Sequence, residues 1–271
     1  MKEDKFIDVE KIISEKNPKA LKWMPGFVLR YLKRIIHEKD INEFLAKNKD
    51  KKNTEFCHEV VRYLNIKVEV ENIERIPKNE RICLAMNHPL GGMDAMILVS
   101  ALDGQRNDLK FIVNDILMNL ENLSEIFVGI DKTGKVRGEA HTRVTRLFNS
   151  DSTVCIFPAG LVSRKIKGKV QDLQWKKAFV TNSKNSDRTI IPIFIEGKLS
   201  KFFYGLAKVR KFFGIKANIE MLYLVNELYK QKNATIKFTV GEPIEHELLH
   251  GTKKDRATME KIRERVYALE K

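Results

Sequence analysis

Residues 81–94 read RICLAMNHPLGGMD: an apolar run, a loop of Asn, His, Pro and two glycines, and an aspartate at the head of a further apolar segment. An apolar run without polar alternation suits a strand covered on both faces, as in parallel sheets. Six more apolar or β-branched runs stand along the chain: IKVEVENIERI (66–76), LKFIVN (109–114), EIFVGI (125–130), STVCIFP (152–158), TIIPIFI (189–195) and ATIKFTV (234–240). Helix-length segments separate most of them. The pattern predicts an α/β fold, a mixed and mostly parallel sheet of about seven strands covered by helices, preceded by an N-terminal amphipathic helical segment. No internal repeat is evident.

The chain has 271 residues, 43% of them hydrophobic and 32% charged, which excludes a disordered or fibrous polymer. The division expected is 1–65, an N-terminal helical segment suited to membrane docking, and 66–271, the α/β domain. The apolar runs are far shorter than the ~20 residues that cross a bilayer. The first residues, MKEDKFIDVEKII, lack the apolar core of a secretory signal, so a cytoplasmic protein is expected. Cys57, Cys83 and Cys155 are widely spaced and form no paired motif, which predicts small core residues and neither disulfides nor a zinc site.

Net charge is +14, and residues 160–216 carry fourteen Lys and Arg against three acids. Such a block suits an anionic partner: phosphate groups, anionic lipid or nucleic acid. Residues 25–41 predict a basic amphipathic helix with Val28, Tyr31, Leu32, Ile35 and Ile36 on one face and Arg30, Lys33, Arg34 and His37 opposite, with Trp23 and Phe27 just ahead. Phe202, Phe203, Leu206, Val209 and Phe213 recur at helical spacing beside Lys201, Lys208 and Lys211, a second candidate for a lipid-facing side. Both stripes are equally compatible with ordinary core packing.

In parallel sheets ligands collect at the carboxyl ends of the strands. His88 stands at one such end. Imidazole accepts protons near neutral pH, and a carboxylate on its second nitrogen fixes the tautomer; Asp94, beyond Gly91-Gly92, can supply it. No serine or cysteine stands at nucleophile spacing, so His88 is expected to deprotonate a substrate hydroxyl. At a second end, Phe157-Pro158-Ala159-Gly160 leads to Ser163 and Arg164, where turn amides and a guanidinium suit an anionic group or a developing oxyanion. Lys132, Lys135 and Arg137 follow a third end. His37, His58, His141, His246 and His250 lack a glycine-framed carboxylate and are given no catalytic role. Two other classes fit parts of this pattern: a hydrolase or metal-assisted phosphoesterase using His88 and Asp94, with Asp131 the obvious further ligand, and a nucleic-acid binder built on the basic block, for which no aromatic interleaving or recognisable module is seen.

These blocks together resemble the lysophospholipid and glycerolipid acyltransferase superfamily: Asn87-His88 with Asp94; Gly129-Ile130-Asp131-Lys132 with Arg137; Phe157-Pro158-Ala159-Gly160 with Ser163-Arg164; and Ile191-Pro192-Ile193, in the superfamily's order. The Asn-His-Pro-Leu-Gly-Gly form is similar to a bacterial subgroup related to O-acyltransferases of ornithine and glycine lipids. The resemblance implies that His88, assisted by Asp94, activates the hydroxyl of a lyso-lipid, lysophosphatidate-like or a mono-acylated amino-acid lipid. That hydroxyl attacks a thioester on coenzyme A or acyl carrier protein. Asn87, Gly91, Gly92, Lys132, Arg137, Phe157, Pro158, Gly160, Ser163 and Arg164 are then expected to bind substrate. No metal or cofactor is expected beyond the acyl-CoA or acyl-ACP co-substrate, no nucleic acid, and a peripheral place on the anionic inner face of the cell membrane. Two departures stand out. Five residues separate His88 from Asp94 where the superfamily has four, an insertion that a glycine at positive φ can absorb. Ala159 stands in place of a glutamate used near the acceptor, which suits a head group other than glycerol phosphate.

Overall fold

The computed structural model describes residues 5–114, 120–130, 137–250 and 254–271. In chain order, α1 (Val9–Lys16), α2 (Pro18–Trp23), α3 (Gly26–Ile35), α4 (Glu38–Lys47) and α5 (Asn53–Tyr63) precede β1 (Lys67–Glu71) and β2 (Ile82–Met86). There follow α6 (Gly92–Ala101), β3 (Leu109–Asn114), β4 (Phe127–Ile130), α7 (Arg137–Asn149), β5 (Thr153–Ile156) and a small hairpin of β6 (Arg164–Ile166) and β7 (Lys169–Gln171). The chain ends with α8 (Ala178–Asn185), β8 (Thr189–Ile195), α9 (Lys201–Phe212), α10 (Leu224–Tyr229), β9 (Thr235–Val240), α11 (His246–His250) and α12 (Asp255–Tyr267).

All seven apolar runs become the strands of one sheet, in the order β1-β9-β8-β2-β5-β3-β4. Every neighbouring pair is parallel except β8 with β9. β2 and β8 lie at the middle and are buried along their whole length, which is why their sequences show no polar alternation. Pro192, with no N–H to donate, sits where the β8–β9 ladder is interrupted: pairing covers Ile193 to Ile195 and resumes only at the Ile190–Ile244 bridge. The cysteines are buried and free, as expected, and burial pushes the Cys57 and Cys83 thiols up to about 12.

The chain divides into two units differently from the expected 1–65 and 66–271. One unit comprises Lys52–Lys198 and Asn233–Lys271, so it includes α5, which packs on α6. The other joins Met1–Lys51 to Leu199–Lys232, because the turn at Ile219–Tyr223 packs both on α9 and on α3. The basic block 160–216 is split between the units. Arg188 is fully buried in the sheet unit, donating to the carbonyls of Phe148, Ile82, Ser152, Leu147 and Ser150.

In the helical unit the two amphipathic stripes resolve. On α3, Ile35 turns inward while Phe27 and Tyr31 are exposed. On α9, Phe202, Val209 and Phe213 are exposed, but Phe203 is fully buried. Phe203 thus leaves the candidate lipid-facing stripe: one residue along a helix turns ~100°, which carries it away from the exposed side that Phe202 occupies. Among the described residues, the exposed large apolar side chains outside this unit are Tyr63, Leu173 and Leu248; the others all belong to it.

Candidate active site

β2 is flanked by β5 and β8, both parallel to it, with Ala85 opposite Ile156 and Met86 opposite Ile193. The carboxyl ends of three strands therefore open side by side and deliver Asn87-His88, Phe157 and Glu196-Gly197 to one edge. Asn87 closes the frame between two of them. Its Nδ2 donates to the Ile195 carbonyl at 2.9 Å and its Oδ1 accepts from the Ile195 amide at 2.7 Å. With the residue 3% exposed, these bonds commit its amide to the scaffold, not to the substrate contact expected of it.

His88 Nδ1 lies 2.9 Å from Asp94 Oδ2, which also accepts from the Leu90 amide at 3.0 Å. Asp94 belongs to the first turn of α6, where the helix dipole favours a carboxylate. The extra residue between His88 and Asp94 is absorbed at Gly91, whose φ of 77° and ψ of −146° lie in a region open to glycine; Gly92 then begins the helix. Asp94 is fully buried, and its Oδ1 has no hydrogen-bond partner among the described residues. Burial pushes its carboxyl above the ordinary aspartate range; the hydrogen bonds from His88 and Leu90 oppose that shift and the charge of Asp172 adds to it.

The face of the imidazole stacks on Phe157, centroids 3.9 Å apart, and Phe157 stacks in turn toward Phe111. Phe157 thus supports His88 in addition to any role toward substrate. A carboxylate at Nδ1 selects the tautomer that carries its proton there and leaves Nε2 as a bare acceptor. Among the described residues no group bonds Nε2, and the His88 side chain keeps 15% of its exposure. Carboxylates also meet His37 and His58, through Asp40 and Asp103. What separates His88 from them is the combination of a buried carboxylate, an aromatic backing and a place at the carboxyl edge of the central strand.

The second block is more structural than its residue types suggest. Gly160 takes φ 64° and donates its amide to the Phe157 carbonyl at 2.9 Å, which closes a tight turn and removes that amide from the expected oxyanion role. The Pro158 carbonyl accepts from the Lys176 amide. Ser163 is 1% exposed; its amide donates to the His88 carbonyl at 2.8 Å and its hydroxyl to Asp172 Oδ1 at 2.5 Å. Arg164 is buried, with Nη1 on the Val162 carbonyl at 2.6 Å. These two side chains shape the loop beneath His88 in place of facing outward. Lys132 and Asp131 lie outside the described residues, and Arg137 is described only as the first residue of α7. The metal-type donors that come together among the described residues are Glu245, His246 and Glu247, which do not include His88.

Asp172, Trp175 and Gly197 were not singled out by sequence. Asp172 accepts from the His88 amide, Trp175 donates to Asp172, and Gly197 lies so close to Leu90 that an added Cβ would sit 2.9 Å from Leu90 Cγ. The one signal available for Asp172 was its rarity, as one of three acids in the basic block.

Residues 11–271 match the family model described as Acyltransferase. The chain belongs to this acyltransferase family. It is 42% identical over 266 residues to a lyso-glycine lipid O-acyltransferase of Bacteroides thetaiotaomicron, covering 97% of each chain. It is 39% identical to a protein of the same name from Phocaeicola vulgatus, covering 97% of this chain and 95% of that one. The crystal structure of the 1-acyl-sn-glycerophosphate acyltransferase PlsC from Thermotoga maritima superposes with a TM-score of 0.53 at 16% identity, over 91% of this chain and 97% of that one, so the two share a fold. In this acyltransferase the His88–Asp94 pair occupies the carboxyl edge of that shared sheet.

Proposed function

We propose that the protein moves an acyl group from a thioester donor, acyl-CoA or acyl-ACP, onto the hydroxyl of a lyso-lipid, and that the acceptor is a mono-acylated amino-acid lipid of the lyso-glycine type. The observation that carries this reading is the His88–Asp94 pair with an open Nε2, in a chain aligned nearly end to end with two lyso-glycine lipid O-acyltransferases. Ala159, buried where the superfamily pattern has a glutamate, supports an acceptor other than lysophosphatidate.

Nε2 takes the proton of the acceptor hydroxyl as its oxygen attacks the thioester carbonyl. The C–O bond forms, the C–S bond breaks, and the imidazolium returns the proton to the leaving thiolate. Asp94 holds the ring and offsets the positive charge that it carries between these steps. No covalent enzyme intermediate is required. Such general-base catalysis typically contributes ~10²–10⁴ in rate.

The acceptor lives in a bilayer, and the helical unit supplies a means of docking at the inner face. Among the described residues no helix is long and apolar enough to cross a membrane. Trp23, Phe27, Phe202, Phe212 and Phe213 are nonetheless all half-exposed or more. Tyr31 and Tyr223 share a 2.7 Å hydroxyl contact and Phe202 packs edge-on against Tyr223, so α3 and α9 present one aromatic surface among Arg30, Lys33, Arg34, Lys201, Lys208 and Lys211. Apolar insertion beside cationic side chains suits anionic lipid.

The test is a transfer assay with labelled palmitoyl-CoA and palmitoyl-ACP against lysophosphatidate and N-acylated glycine lipid in parallel. Transfer to the glycine lipid with a kcat/KM at least ~10-fold higher is expected, abolished in His88→Ala. Full activity in folded His88→Ala refutes the mechanism, and preference for lysophosphatidate refutes the acceptor.

A further inference from the structure

Resting on the acyl-transfer reading above, we propose that Asp172 is a positioning residue for His88: its buried carboxylate locks the His88 backbone to the Ser163 loop through a closed ring of hydrogen bonds. Asp172 Oδ1 accepts from the His88 amide at 3.1 Å and from the Ser163 hydroxyl at 2.5 Å, while the Ser163 amide donates to the His88 carbonyl at 2.8 Å. Both backbone groups of His88 are therefore engaged by a pair of residues that bond to one another.

The hairpin explains the pairing. Arg164 on β6 stands opposite Gln171 on β7, so Ser163 and Asp172, the residues just outside that pair, meet at its open end. Asp172 is itself held from behind. Its Oδ2 accepts from Trp175 Nε1 at 2.8 Å, its amide donates to the Tyr267 hydroxyl at 2.7 Å, and its carbonyl accepts from Arg263 of α12 at 3.3 Å. At 1% exposure the carboxylate has these donors in place of water. Burial pushes its carboxyl above the ordinary range and the bonds from Ser163, Trp175 and His88 pull it back.

Asp94 orients the imidazole from α6, and Asp172 sets the backbone from the hairpin. Nε2 is correctly placed only when both constraints hold, and displacements near 1 Å can cost ~10²-fold in rate.

The experiment compares purified full-length wild type with Asp172→Ala, Ser163→Ala and Trp175→Phe. Asp172→Ala removes Oδ1, the acceptor of both ring bonds, which an asparagine carbonyl oxygen could replace; kcat should fall ~10- to 100-fold with KM for both substrates within about twofold. Ser163→Ala opens the ring but keeps the carboxylate, and should lose kcat in the same direction by less. Trp175→Phe removes a bond to Asp172 outside the ring, and should hold kcat within about threefold whatever it costs in thermal stability. Hydrogen exchange of the His88 amide, slow in wild type and faster in Asp172→Ala and Ser163→Ala, reads the ring without any substrate. A folded Asp172→Ala with wild-type kcat overturns the proposal, as does a Trp175→Phe protein that loses kcat equally. If Asp172→Ala does not fold, Ser163→Ala decides by the same two readouts. Wild type that transfers no acyl group to any lyso-lipid overturns the function and not the ring, which amide exchange then tests alone.

Discussion

Asp94→Asn should lower activity and flatten the dependence of stability on pH. Asparagine has the shape of aspartate. Its carbonyl oxygen can keep the bonds that Oδ2 accepts from His88 and Leu90, while its NH₂ takes the place of Oδ1, which has no partner among the described residues. What disappears is the negative charge. With charge centres ~4 Å apart and an effective dielectric of ~20, an opposite charge favours the imidazolium by about 4 kcal/mol. That corresponds to about three decades in rate, so kcat/KM should fall ~10³-fold. Stability should become less dependent on pH. The folded state holds the Asp94 carboxyl above its unfolded pKa because of burial. Between those two values the folded chain binds more protons than the unfolded one. The stability is fully present below the unfolded pKa and is lost as pH rises through the folded one. Removing the carboxyl removes that pH dependence, so acidification should stabilise the variant less than wild type. The assays are steady-state transfer and calorimetry from pH 4 to 8. A folded variant within tenfold of wild-type kcat/KM refutes the catalytic argument. A variant whose Tm rises on acidification as much as that of wild type refutes the energetic one.

Arg188→Met should cost at least about 4 kcal/mol, since the guanidinium serves five buried or part-buried carbonyls, and denaturant unfolding measures it. Arg188→Lys should lose more than half as much, because an ammonium has three donors and no planar fork. Gly197→Ala places a methyl 2.9–3.1 Å from three Leu90 carbons; about 1–3 kcal/mol of overpacking should reach Asp94 through the Leu90 amide, and a transfer assay should show kcat reduced beyond any loss of folded protein. Replacing Trp23 and Phe27 together by serine removes two exposed aromatic side chains worth about 3 kcal/mol if inserted in lipid, so sedimentation with anionic vesicles should weaken ~100-fold with Tm nearly unchanged. Unchanged sedimentation moves docking elsewhere.

The central strands were legible because buried parallel strands need apolar residues on both faces, the edge strand β1 by its β-branched valines, and β3 and β8 begin and end where the runs do. His88 and Asp94 were legible because both sit at one strand-to-helix junction and the glycines between them mark an unusual turn. The β6–β7 hairpin was not: RKIKGKVQ is dominated by lysines, and its two strands are too short to carry a periodic signal. Residue type also misled where a polar side chain serves the scaffold. Asn87, Ser163 and Arg164 look like substrate contacts in a line of letters, yet each is bonded to the protein's own groups.

Periodicity and junction motifs reside in neighbours along the chain, so the α/β class, the strand count and the histidine–aspartate pair could all be read from order alone. The fate of a polar group depends on which distant segment arrives to satisfy it. His88 meets Asp172 across 84 residues, Asn87 meets Ile195 across 108, and Arg188 reaches Ile82 across 106. Those separations carry no local pattern. Folding sets them, because a buried donor or acceptor without water must find a partner wherever the sheet has brought one.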